Sequence, residues 1–193
     1  MRSAILPDRG GIEANLAALV DGEVDVFLTY AHRHVSLRLE DGQFEFLTVA
    51  SDQAIPVVAP ELVVDDIRHD GRSVLASAIA GELTLPYASY GGESFFGLAL
   101  RRLFDLSPSF RRTTVHENSI AHGLKAICMS GGGVCWLPRS LVAAELASGA
   151  LVQASTDPRW ILDLDIRLYR AAEGGKSAVA ASLWDRARRL ATR

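Results

Sequence analysis

A chain of 193 residues with 49% hydrophobic and 22% charged side chains has the ordinary composition of a soluble globular protein with material for a packed core. Its net charge of −3 argues against a nucleic-acid-binding domain, which presents a basic face to phosphate. Two cysteines are too few for a disulfide scaffold, Met1-Arg2 opens no apolar signal segment, and no run approaches the ~18 apolar residues of a membrane span, so the reading is cytoplasmic with no membrane partner.

Taken in order, residues 2–6 read as a short strand broken by Pro7-Asp8 and Gly10-Gly11. Ile12, Leu16, Leu19 and Val20 mark one side of a short helix, with Gly22 just past its end. Val24 to Tyr30 is a continuous apolar run, predicting a strand buried on both faces of a parallel sheet, with Asp25 bonding backbone at its start. His32 and His34 sit at i, i+2 in a polar stretch without a third ligand nearby, so no metal is expected. Phe44 to Ala50 and Pro56 to Pro60 read as strand, break, strand. Residues 65–80 read as a linker and a weak helix, Leu75, Ile79 and Leu83 being only loosely periodic. Leu83 to Tyr90 reads as a strand that Pro86 pushes toward an edge or a bend. Gly91-Gly92-Glu93-Ser94 leads into a helix with Phe95, Phe96, Ala99, Leu103 and Leu106 on its apolar face, and Arg111 to His116 follows as a strand.

The stretch from Val115 to Leu146 is the most informative. Ile120, Leu124, Ile127 and Cys128 form one helical face, with Asn118 and Ser119 at the N-cap position and Gly131 to Gly133 closing the helix. Val134 to Leu137 is a short buried strand, and Pro138 opens another helix. Further on, Leu162, Leu164, Ile166 and Leu168 alternate with polar residues as in a half-exposed strand. A last helix over 176–193 has Val179, Leu183, Trp184, Ala187 and Leu190 on one side, and Arg186, Arg188, Arg189 and Arg193 read as a solvated face. The alternation of strands and helices predicts an α/β fold with mainly parallel sheets.

The combination of Glu117, Ser119, Gly123-Leu124-Lys125, Gly131, Gly133-Val134, Trp136-Leu137-Pro138 and Gly149-Ala150-Leu151-Val152 resembles the effector-binding domain of LysR-type transcriptional regulators, as does Gly22-Glu23-Val24-Asp25 before its strand. Trp136-Leu137-Pro138 with Ile166-Arg167-Leu168-Tyr169 is similar to a hypochlorite-responsive branch. The resemblance implies a two-lobed periplasmic-binding-protein-like (type 2) fold with two crossover strands. Lobe I is expected over 1–50 with 160–193 and lobe II over 51–159. It implies a small, anionic effector bound between the lobes, a homodimer or higher homo-oligomer, and DNA contact only through a helix-turn-helix that this chain lacks. The fold is expected to be N-terminally truncated, with the opening strand and long helix of the family's domain also missing.

Ser94, after Gly91-Gly92 and at a helix start, is the leading ligand-binding candidate, with Gly92 beside it; free N–H groups and the helix dipole there suit an anion, and a plain serine N-cap is compatible with that role. Thr29 and Tyr30 end a strand where an open α/β sheet faces its ligand, against a reading as core packing. Asn118 and Ser119 stand in the same relation to the next helix, against simple capping. Cys128, Cys135 and Met129 are redox candidates, on the alternative that the domain senses an oxidant, although cysteines in apolar patterns are usually inert. A free solute-binding protein is a further alternative. No nucleotide loop, Ser-His-Asp order or metalloprotease signature occurs, so neither catalysis nor a cofactor is expected.

Overall fold

The computed structural model describes residues 4–6, 12–33, 35, 42–172 and 177–191. The chain forms two compact units, one made of Met1–Ser51 with Leu164–Arg193 and the other of Asp52–Asp163. It passes between them twice, within β2 (Phe44–Val58) and within β9 (Leu162–Ala171). The predicted break between two strands is absent, because residues 51–53 stay extended and β2 runs unbroken for 15 residues. His34, Arg193 and the break at 7–11 lie outside the described residues. Residues 4–6, within the expected first strand, take no regular structure.

In the first unit, α1 (Ile12–Val20) buries Ile12, Leu16 and Leu19, while Val20 is exposed. Gly22 follows with a φ of 71°, which a glycine adopts without a Cβ penalty. β1 (Phe27–Ala31) pairs antiparallel with β9, setting Thr29 opposite Arg167 and Tyr30 opposite Ile166. This corrects the expectation of a doubly buried parallel strand: Leu28 is 59% exposed, since an apolar run does not reveal that one face stays open. α6 (Ala178–Ala191) lays Trp184 and Ala187 against Leu168, with Val26, Leu47 and Val49 around them. Arg170 lies over the Trp184 ring at 4.1 Å and bonds Glu45.

In the second unit, the end of β2 pairs antiparallel with β7 (Cys135–Pro138) and β8 (Val152–Gln153). β5 (Leu85–Ser89) and β6 (Arg112–Glu117) run parallel, and Tyr87 bridges to Val134 in the same sense. Antiparallel pairs thus outnumber parallel ones among the described residues, against the expectation of mainly parallel sheets. Strand and helix alternation does not record which strands become neighbours.

Residues 61–70, of which 65–70 fall in the expected linker, form a hairpin of β3 (Glu61–Val64) and β4 (Ile67–Asp70). Its turn residues Asp65 and Asp66 have φ of 49° and 63°, the doubly positive geometry of a tight hairpin. As expected of a strand containing Pro86, β5 pairs with β6 alone in a two-stranded sheet, shifts register between Tyr87 and Ala88, and makes one isolated bridge on its other side, from Tyr87 to Val134. Leu85 and Ala88 donate to Arg111 and Val134, and Pro86 supplies only its carbonyl, to Val134 N–H at 2.8 Å. Helix α2 (Val74–Ala80) buries Val74, Leu75 and Ala78. α3 (Phe95–Leu106) buries Phe95, Phe96, Ala99 and Leu100, and leaves the predicted Leu106 exposed.

α4 (Ala121–Met129) turns at Gly131 into β7, every residue of which is buried, and α5 (Arg139–Ser148) follows. The Asp52 carboxylate accepts from Ser140 N–H and Oγ at the start of α5, an anion at the positive end of a helix dipole. Lys125 of α4 bonds Glu145 of α5 at 2.7 Å, and that hydrogen bond holds the Glu145 carboxyl below the usual carboxylate range. An aromatic cluster of Tyr87, Phe104, Phe110, Trp136 and Trp160 fills the core.

Candidate functional site

β5 and β6 run parallel, with a one-residue register shift between Tyr87 and Ala88, and end side by side with Ser89 opposite Glu117. Each strand then leads into a helix start, so the Gly91–Ser94 turn before α3 and the Asn118–Ile120 turn before α4 share one edge. Ser89 O accepts from Asn118 N–H at 3.0 Å and ties the two turns together. This is the strand-end arrangement at which open α/β sheets take ligands.

Ser94 is the N-cap of α3, as its position predicts. Its Oγ accepts from Gly97 N–H at 3.0 Å and donates to Gly91 O at 2.7 Å. The turn can fold back this tightly because residue 97 is glycine, where a Cβ would stand 2.2 Å from Gly91 O. Gly92 is exposed at the tip of the turn.

Asn118 and Ser119 are not the N-cap of α4; that position is Ile120, which is 62% exposed rather than on the buried face. The helix starts later because Asn118 Oδ1 accepts from Ile120 N–H at 2.8 Å, a side-chain turn that competes with helix. The Asn118 amide then lies against Gly123, where a Cβ would meet Nδ2 at 2.3 Å. Ser119 is exposed beside it. Thr29 and Tyr30 are half-buried on β1 of the first unit, away in the chain from this edge.

Sequence reasoning gave no site role to Gly97, Gly123, Arg101 or Glu117, although Glu117 and Gly123 belong to the family motif. The two helical glycines carried the usable signal, since a glycine inside a helical pattern marks a close approach. Two grooves of about 370 Å³ and 470 Å³ lie elsewhere in this unit. The first is lined by Glu61, Arg68 and His69, the second by Ala76, Ile79 and Trp160, and neither includes Ser94. Among the described residues, no three His, Cys, Asp or Glu side chains gather as a metal site, and no helix is long and apolar enough to cross a membrane.

The sulfurs divide into two kinds. Cys128 and Cys135 are fully buried and free, and Met129 is 46% exposed. Burial pushes the Cys135 thiol well up, with the neighbouring Cys128 adding to the effect, so it stays protonated and a poor nucleophile. A maleimide or disulfide reagent is therefore expected to modify neither cysteine in the folded chain and both in denaturant. Rapid labelling of native protein, counted by mass spectrometry, would contradict this burial.

A sequence model described as the LysR substrate binding domain matches residues 10–192, nearly the whole chain. The chain belongs to this family. It is 26% identical over 152 residues to the HTH-type transcriptional regulator YjiE of Escherichia coli K12, a match covering 79% of this chain and 46% of that protein. The chain thus spans about half the length of the curated relatives it matches. Its fold is that of the bromide-bound regulatory domain of HypT from Salmonella typhimurium, with a TM-score of 0.76 at 21% identity over 94% of this chain and 79% of that one. The LysR family transcriptional regulator VV2_1132 superposes with a TM-score of 0.73 at 25% identity, covering 95% of this chain and 56% of that structure. The α/β substrate-binding-domain architecture expected from the resemblance is therefore present.

Proposed function

We propose that this LysR substrate-binding domain senses a small effector through an anionic group held at the carboxyl ends of β5 and β6, and so controls DNA binding by a full-length regulator. The carrying observation is the Gly91–Ser94 turn: a hydroxyl, two glycines and a helix start on the same edge as Asn118 and Ser119. Thr29 and Tyr30 are proposed as further ligand contacts. The partners are the effector, a second copy of the chain in a homodimer or higher homo-oligomer, and DNA through a helix-turn-helix outside this chain. An effector shifts such a regulator only by the difference in its affinity for two states of the protein.

Ser94→Ala tests the site. Removing the hydroxyl takes away the cap and the bond to Gly91 O, and should lower stability by about 1 kcal/mol without unfolding the chain. Affinity for a carboxylate effector found by thermal-shift screening should fall about tenfold, with Ser94→Thr retaining most of it. Calorimetric titration showing the same affinity in Ser94→Ala would remove this turn from the effector site.

A further inference from the structure

Two opposite charges, on α3 and at the end of β6, stand beside the Gly91–Gly92 turn. Arg101, two turns into α3, reaches back toward the helix start, and its Nη2 comes within 3.4 Å of where a Cβ on Gly92 would stand. On the other side, Glu117 Oε1 lies 4.0 Å from the corresponding position on Gly91. Both side chains are exposed, and neither makes an ion pair among the described residues, with the other or with anything else.

Each charge has a consequence for what can occupy the edge. The guanidinium stands near the positive end of α3, where the helix dipole disfavours a cation unless an anion lies between them. The Glu117 carboxylate, by contrast, repels any purely anionic ligand drawn to that helix start. A molecule carrying both signs close together satisfies the two at once. Neither Gly91 nor Gly92 carries a side chain that would stand against these charged groups.

We infer that the effector is a zwitterion of the α-amino-acid type, its carboxylate set toward Arg101 and the start of α3 and its ammonium group toward Glu117. This rests on the placement of the effector at the Ser94 turn and adds its chemical class. Arg101 and Glu117 then act as the pair that sets specificity, and Ser94 shapes the turn between them.

The test is a thermal-shift comparison on the whole chain, using the L-α-amino acids at millimolar concentration and the matched carboxylic acids that lack the amine. At least one amino acid should raise the midpoint by about 2 °C while its matched acid does not. In calorimetric titration, Glu117→Gln and Arg101→Gln should each weaken that amino acid about tenfold. Glu117→Gln should improve binding of the matched acid, a gain that damage to the fold would not produce. Equal stabilisation by amino acids and matched acids, with affinity indifferent to Glu117→Gln but reduced by Ser94→Ala, would overturn the zwitterion and keep the site. Amino-acid binding indifferent to Ser94→Ala, Arg101→Gln and Glu117→Gln alike would remove both. A panel in which no amino acid moves the midpoint also overturns the inference.

Discussion

Trp136→Ala should lower the stability of the chain by about 4 kcal/mol, the cost of removing a large aromatic side chain from a packed core. Trp136 is fully buried on β7, with ring neighbours Phe104 at 4.8 Å, Tyr87 at 6.0 Å, Phe110 at 6.2 Å and Trp160 at 6.3 Å. Its Nε1 donates to Trp160 O at 2.7 Å, so alanine leaves both a cavity and a buried carbonyl without its donor. Trp136→Phe keeps much of the ring volume and loses only the donor and part of the contact, and should cost roughly half as much. Guanidinium unfolding followed by far-UV circular dichroism checks both variants. A loss below about 1.5 kcal/mol for the alanine variant would mean that this cluster is not the centre of the second unit's core.

Gly133→Ala should cost about 3 kcal/mol or more, although it adds a single methyl group. Gly133 has a φ of 129°, a backbone region closed to ordinary L residues. A Cβ there would stand 2.6 Å from Pro86 O and 3.0 Å from Pro86 C, which are backbone atoms that cannot rotate aside. The same carbonyl accepts from Val134 N–H, so moving it breaks the link between β5 and the start of β7. Gly131→Ala is the comparison: φ is 80° but nothing lies within 4 Å of its Cβ position, so only the backbone strain applies and the loss should be about 1 kcal/mol. Equal losses in the two variants would show that strain alone, without the Pro86 contact, governs residue 133.

Both predictions concern the contact of β5 with β7, and that contact decides the functional edge. β5 is held between β6 and Val134, so its end at Ser89 is fixed before the chain turns through Gly91-Gly92 into α3. The proposed effector groups stand on that fixed end. Loosening at residue 133 should therefore weaken effector binding as well as stability.

The residues themselves determined the helix starting after Ser94, the buried run at Val134 to Leu137 and the helix closing at Gly131. Each depends on neighbours within one or two turns, through a cap, a hydrophobic period or a glycine's backbone freedom. Family membership was legible for the same reason, in spaced short motifs from Glu117 to Val152. Tertiary structure alone decided that β1 pairs antiparallel with one face open, that Tyr87 beside Pro86 bridges to Val134, and that Asn118 N–H bonds Ser89 O. It also brought Arg101 and Glu117, 16 positions apart in the sequence, to consecutive glycines. Such pairings depend on which distant backbone groups meet, and local hydrophobic patterning does not encode partners that become neighbours only when the strands assemble.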